Sequence, residues 1–185
     1  MTAPQINPRD INERTGAWQH PRIANPEAGI DDRIGIAAEA AAALARRRTT
    51  YSDLVTGGKL DAAVAEADLG AWQAISQDWR WIAVGDGAPA DRATLAARIA
   101  ALDTAIDRFF TAMDRSGHTA TSLGFGQREQ ITRLAAMRWC AQAELRPTGR
   151  LHARNAAAIG HDYRKQNGHP TLGQMQSAHQ QKALR

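Results

Sequence analysis

The chain has little cysteine and no long apolar run, and both shortages narrow the classes of protein it can be. Its single cysteine, Cys140, cannot form an intrachain disulfide or a cysteine-based zinc site. The longest apolar run, 34–45, is interrupted by Glu39 and is too short to span a bilayer. Residues 1–10 lack a basic stretch followed by an apolar one, so we expect no secretory signal. These features predict a cytoplasmic protein with no membrane contact.

The sequence also lacks the motifs of common catalytic and nucleotide-binding sites. Gly85–Pro89 lacks the Lys and Ser or Thr of a P-loop, and Gly124–Gly126 lacks the third glycine of a dinucleotide-binding fingerprint. Zinc-binding residues are usually paired at a spacing of about two to five. The histidines near the C-terminus are eight to ten residues apart: His152, His161, His169 and His179. We therefore predict no cofactor and no metal site.

Two further groups of reactive residues have a simpler structural interpretation. Asp103 and Asp107 lie one turn apart in a predicted helix, where two carboxylates can share a proton, but they flank an apolar seam and are typical of a solvated face. Cys140 lies between Trp139 and Ala141 and resembles a small buried hydrophobe. An enzyme on a helical scaffold is therefore the alternative that the sequence favours least.

Alanine and helical periodicity dominate what is present. Alanine, the best helix former, is concentrated in 36–45 and 88–105. Apolar residues also recur at steps of three and four, which is typical of helices with one buried face. The sequence therefore predicts an all-α fold, an antiparallel bundle of about four helices connected by short turns. The predicted helices span residues 32–48, 60–84, 91–113 and 127–145.

The apolar stripes predict which helix faces are buried. The first predicted helix has a stripe of Ile34, Ala37, Ala41 and Leu44. The third has a heptad seam, in which we expect Ile99 and Ile106 to be core residues. That seam consists of Leu95, Ile99, Leu102, Ile106, Phe109 and Met113. We interpret it as one helix of the bundle, and a homo-oligomer formed through helix 91–113 is the alternative.

Composition divides the chain into three segments. Residues 1–29, with four prolines, predict an extended arm. Residues 30–145 contain the helical bundle, and 146–185 form a basic tail, partly helical or disordered, whose helices we expect to order only against another surface. The tail has seven Arg or Lys and one Asp, a net charge of +6. Residues 1–145 have 16 basic and 18 acidic residues, a net charge of −2.

This charge asymmetry predicts an anionic partner, either a nucleic acid or an acidic protein surface. The predicted contact residues are the basic side chains of the tail: Arg146, Arg150, Arg154, Arg164, Lys165, Lys182 and Arg185. Trp18, Arg80 and Trp81 are a candidate partner interface. Trp79 and Trp81 lie two residues apart on a helix and cannot share a face, so Trp81 needs a second surface. The 116–126 loop, the arm or a partner would supply it.

One stretch resembles a known group of proteins. It reads Arg46-Arg47-Arg48-Thr-Thr-Tyr51-Ser-Asp-Leu54-Val55-Thr-Gly57-Gly58, followed by Leu60. Residues 45–81 are similar to a helical hairpin in uncharacterised small proteins of proteobacterial prophages and plasmids. The resemblance implies a mobile-element setting and transfers no functional residue. We therefore expect a non-enzymatic binding or accessory protein of a phage or other mobile element. A virion structural or assembly component, virion-associated rather than cytoplasmic, is the alternative.

Overall fold

The computed structural model describes residues 18–119, 121–145 and 153–183, and its regular elements there are all helices, which confirms the predicted all-α class. None of these helices combines the length and the hydrophobicity needed to cross a membrane. A 3₁₀ turn, Arg92–Thr94, precedes the third helix. In chain order the helices are α1 (Arg33–Thr56), α2 (Ala62–Val84), α3 (Leu95–Arg115), α4 (Phe125–Glu144), α5 (Ala153–Gln166) and α6 (Leu172–Ala183).

Aspartates begin two of these helices and a glycine ends one. The Asp32 carboxylate accepts the Gly35 N–H at 3.0 Å before α1. Asp61 accepts the N–H groups of Ala63 and Val64 at 2.9 and 3.1 Å before α2. Each pairing satisfies N–H groups that have no partner inside the helix. Gly85 ends α2 in the left-handed conformation, with φ of 77°.

The first helix is longer than predicted. It continues past residue 48 to Thr56, and within it the hydroxyls of Thr49 and Thr50 donate to carbonyls four residues earlier, at 3.2 and 2.9 Å. Its predicted stripe was right at Leu44, which is buried, and in part at Ala37, but wrong at Ile34 and Ala41, which are exposed. Ile34 is half exposed, whereas Ile36 is fully buried. The inward residues are spaced by three and four and include an arginine, which a search for apolar residues overlooks. These residues are Ile36, Ala40, Ala43, Arg47 and Tyr51.

The centre of the core lies between the first four helices. Contacts connect α1 with α2, α2 with α3, α3 with α4, and α4 with α1. Ile106 is 1% exposed, as predicted, but Ile99 is only partly buried. The largest buried side chains at this centre are Trp72, Ile36, Ile75, Leu102, Ile106 and Met137.

The described part of the N-terminal segment lies along α3 and α4. The Arg138 guanidinium is 5.3 Å from the centre of the partly buried Trp18 ring. The His20 ring stacks on Phe110 at 4.9 Å. Arg22 donates two hydrogen bonds of 2.9 Å to the Asp114 carboxylate. Trp18, predicted to be part of a partner interface, therefore contacts the chain's own helices.

The C-terminal helices α5 and α6 both contact α2. Ala153 and Ala157, one turn apart on α5, are 5% and 3% exposed and belong to the hydrophobic core. Helix α5 therefore packs on α2. The predicted tail begins at residue 146, but the body and α5 share one core.

Candidate nucleic-acid interface on the C-terminal helices

A buried cluster of four charged side chains joins α5 to the body of the protein. Asp78 comes from α2, Arg98 from α3, Glu144 from α4 and Arg154 from α5. Arg98 contacts Asp78 at 2.9 Å and Glu144 at 3.3 Å. Arg154 contacts Glu144 at 3.0 Å and Asp78 at 3.6 Å. Each guanidinium therefore contacts both carboxylates, and the charges of the four side chains sum to zero.

The charge cluster, Asp78, Arg98, Glu144 and Arg154, also binds the backbone that connects α2 to α3. The Ala90 N–H donates to Asp78 at 3.1 Å, and Arg154 donates to the Ala90 carbonyl at 2.6 Å. Burial raises the pKa of the Asp78 carboxyl, and the adjacent Arg98 guanidinium opposes that rise. The space beside the cluster is about 10 Å³, at the lower limit for one water molecule. Because no substrate fits there, we interpret the cluster as a structural joint.

Sequence reasoning missed this cluster, although its spacing carried a signal. Asp78 is three residues after Ile75 and four before Ile82, so it lies on the buried face of α2. Arg98 is likewise three after Leu95 and four before Leu102 on α3. A charge at such a position indicates a buried partner of opposite charge, because an unpaired buried charge is very costly.

Cys140 lines the same region and is 5% exposed. Burial is the main cause that raises the pKa of its thiol to about 12. Since the thiolate is the reactive form, we expect Cys140 to resist a disulfide exchange reagent at pH 8 in the folded protein. The same reagent should modify one thiol per chain in denaturant. Complete labelling of the native protein within minutes would contradict this burial.

The second surface that Trp81 contacts is α5. The His161 ring packs edge-on against Trp81 with centroids 5.1 Å apart, and its Nε2 lies 2.8 Å from the Trp81 carbonyl oxygen. A Cβ on Gly85 would lie 2.9 Å from the His161 ring, so this close approach requires glycine. Arg80, between the two tryptophans, is exposed and pairs with Asp86 at 3.4 Å. Of the candidate partner interface, Arg80 is the side chain that faces solvent.

Helix α6 begins with reciprocal hydrogen bonds and packs against the turn after α2. The Thr171 hydroxyl accepts the Gln174 N–H at 3.1 Å, and the Gln174 side chain accepts the Thr171 N–H at 2.8 Å. A Cβ on Gly173 would overlap the Asp86 carboxylate. A carboxylate beside the first turn of a helix is favourable. These contacts position α6 beside the same turn that supports α5.

The outer face of α5 presents an aromatic ring with basic neighbours. Ile159 and Tyr163, one turn apart, are 61% and 62% exposed. Tyr163, Gly160, Arg164 and His169 line an open groove of about 470 Å³. Arg164 also donates to the Pro170 carbonyl at 3.4 Å. We call these four residues the α5 groove.

The structure separates the predicted anion-contacting residues into different environments. Arg154 lies in the charge cluster, where Asp78 and Glu144 neutralise it. Arg164 borders the α5 groove, while Lys165 and Lys182 are exposed on α5 and α6. Three others lie outside the described residues: Arg146, Arg150 and Arg185.

No family model, curated protein or solved structure matches the chain. The resemblance to prophage and plasmid proteins therefore stays a prediction. Within the described ranges, no group of three His, Cys, Asp or Glu side chains is arranged to hold a metal ion. The features of the described residues that point to a function are the α5 groove and its basic neighbours.

Proposed function

We propose that the protein is a non-enzymatic binding protein of a phage or other mobile element and that its partner is a nucleic acid. One observation carries the proposal: exposed Tyr163 stands beside Arg164, Lys165 and His169 on the C-terminal helices. Proteins that bind nucleic acid strands combine cationic side chains, which track phosphates, with aromatic rings, on which bases stack.

The remaining charges of the chain favour the same surface. With Arg154 neutralised inside the fold, six of the seven basic residues in 146–185 remain, against one acidic residue. Residues 1–145 have a net charge of −2 and would repel a polyanion weakly. Attraction to phosphate is therefore concentrated at the C-terminal helices.

In this proposal the first four helices are an antiparallel bundle that serves as a scaffold. Of the predicted arm, 1–29, residues 18–29 lie along it, and residues 1–17 lie outside the described residues. Two pairs of contacts support the antiparallel arrangement. Arg98 contacts Glu144, while Asp103, further along α3, contacts Arg138, which is earlier on α4. Asp32, which caps the start of α1, contacts Arg133 of α4, and Glu39, later on α1, contacts Gln130, which is earlier on α4.

A virion structural or assembly role is the second candidate. Large apolar side chains are exposed at the C-terminal end of the molecule and at the start of α4, where they would suit a protein neighbour. They are Phe125, Leu145, Ile159 and Tyr163, exposed by 72%, 50%, 61% and 62%. The two candidates differ in whether the basic surface attracts nucleic acid.

Binding should depend on salt through the basic residues of α5. For the full chain and random-sequence oligonucleotides, log affinity should fall linearly with log salt, by about 0.9 per phosphate contact on duplex DNA and about 0.7 on single strands. Replacing Arg164 and Lys165 by glutamine removes two contacts and should reduce the slope by about 1.4 to 1.8. Fluorescence anisotropy at several salt concentrations measures both quantities.

The matched control replaces Arg48 and Lys59, which are exposed on α1 and in the turn after it. Arg48→Gln with Lys59→Gln changes the net charge equally and should leave the slope unchanged. Equal effects of the two double variants would mean that overall charge, not the C-terminal surface, determines binding. A dissociation constant weaker than about 100 μM at low salt, beyond ordinary non-specific binding, would refute the nucleic-acid role and favour assembly.

A further inference from the structure

The α5 groove is a shallow depression on the surface of one helix, open to solvent and lined mostly by apolar atoms. Its volume of about 470 Å³ leaves room for one flat ligand to lie against the helix. Gly160 and Tyr163 are three residues apart on α5 and share a face. Arg164 and His169 border the same space. An aromatic ring, an open stretch of helix backbone and the side chains of Arg164 and His169 therefore meet at one place.

Gly160 is not required by the packing of the protein. Glycine inside a helix is less stable than alanine, by about 0.5–1 kcal/mol. At Gly85 and Gly173 a Cβ would collide with a neighbouring side chain, but at Gly160 it would meet nothing within 4 Å. The missing side chain instead leaves the outer surface of the helix open beside the Tyr163 ring. A ligand from solvent can approach the backbone there.

We propose that the α5 groove binds one unpaired base of a single-stranded nucleic acid. The base stacks on Tyr163 and lies over Gly160, and Arg164 and His169 contact the adjoining phosphates. The lining of the groove is mostly apolar, which suits the flat face of a base, and the net charge of +6 over residues 146–185 favours a polyanionic strand over an apolar peptide. A base within a duplex is already stacked on its neighbours. This inference rests on the proposed nucleic-acid function and specifies the form of nucleic acid that is bound.

The test compares two oligonucleotides of equal length, oligothymidylate and its abasic counterpart, which carry the same phosphates. Tyr163→Leu keeps an apolar side chain but removes the ring, and should weaken oligothymidylate binding about 5- to 150-fold, the range for one stacked base. It should change abasic binding less than about twofold, because phosphate contacts remain. Wild-type protein should prefer oligothymidylate to a duplex of the same length at matched salt.

Gly160→Ala provides a second variant that does not depend on the ring. The added methyl should raise the melting temperature, yet lower oligothymidylate affinity by a factor on the order of five by lifting the base from the helix. Gly70→Ala is the matched control, because Gly70 lies within α2 and a Cβ there also meets nothing within 4 Å. That control should raise the melting temperature and leave binding unchanged.

The outcomes separate this inference from the proposed function. If wild type binds oligothymidylate and abasic strands equally, and neither Tyr163→Leu nor Gly160→Ala alters binding, the stacking site is refuted although nucleic-acid binding stands. Binding to the duplex as tight as to the single strand would likewise refute it. If none of the three nucleic acids binds at low salt, the proposed function itself fails.

Discussion

Replacing Arg98 by methionine should destabilise the protein by about 3–5 kcal/mol, the usual loss when one partner of a buried ion pair is removed. The Arg98 side chain is 4% exposed and contacts Asp78 and Glu144, which are 3% and 8% exposed. Without it, two buried carboxylates would share only the Arg154 guanidinium. Urea unfolding followed by circular dichroism measures the free energy of unfolding.

The pH dependence gives this prediction a second measurement. Burial already raises the pKa of Asp78, and the Arg98 guanidinium opposes that rise. Loss of the guanidinium should therefore raise the pKa of Asp78 further. A carboxyl whose pKa is raised by folding loses stability as pH rises above its unfolded value, so the deficit of Arg98→Met should be largest at neutral pH. The deficit in the free energy of unfolding should become smaller at acidic pH, where Asp78 is protonated.

Arg46→Met is the matched control for Arg98→Met. Arg46 pairs with Glu39 at 2.8 Å, but its side chain is 54% exposed. An exposed pair of this kind contributes about 0–1 kcal/mol. Equal losses in the two variants would mean that the charge cluster is hydrated in solution, and the interpretation of a structural joint would be wrong.

Ile106→Ala should cost about 2–5 kcal/mol, the range for truncating a buried large aliphatic side chain. Ile106 is 1% exposed at the centre of the core, whereas Ile99, two turns earlier on α3, is only partly buried. Ile99→Ala should therefore cost less, since part of its surface already contacts water. Urea unfolding of both variants at one protein concentration tests this order.

A loss below about 0.5 kcal/mol at both positions would be incompatible with a buried α3 seam. That result would favour the homo-oligomer formed through residues 91–113. Sedimentation of the wild-type protein at several concentrations would then show association.

The helices and most of their faces were predictable because apolar spacing reports burial directly. The seam of α3 led to Leu102, Ile106 and Met113, all buried in the structure. The face of α1 was predicted only in part, at Ala37 and Leu44, because it also includes Arg47, whose guanidinium lies 4.0 Å from the centre of the Trp72 ring. A cation buried by stacking carries no apolar signal.

The candidate site was less accessible to sequence reasoning because it depends on contacts between distant residues. Composition alone placed Arg154 among the anion-contacting residues. In the structure its guanidinium pairs with Asp78 and Glu144, which lie 76 and ten residues earlier in the chain. The expectation that the tail helices order only against another surface stays a prediction, although α5 does pack against the body. The identity of that surface depends on His161 meeting Trp81 and on the small residues Ala153 and Ala157.

The charge cluster has a consequence for how the chain acquires its fold during synthesis. Domains made on the ribosome tend to fold from the N-terminal end. Asp78, Arg98 and Glu144 therefore emerge before Arg154 and, once together, leave one negative charge in excess. Until α5 docks, the interior of the body therefore contains one uncompensated negative charge. Arg154 neutralises that charge when α5 packs against the body.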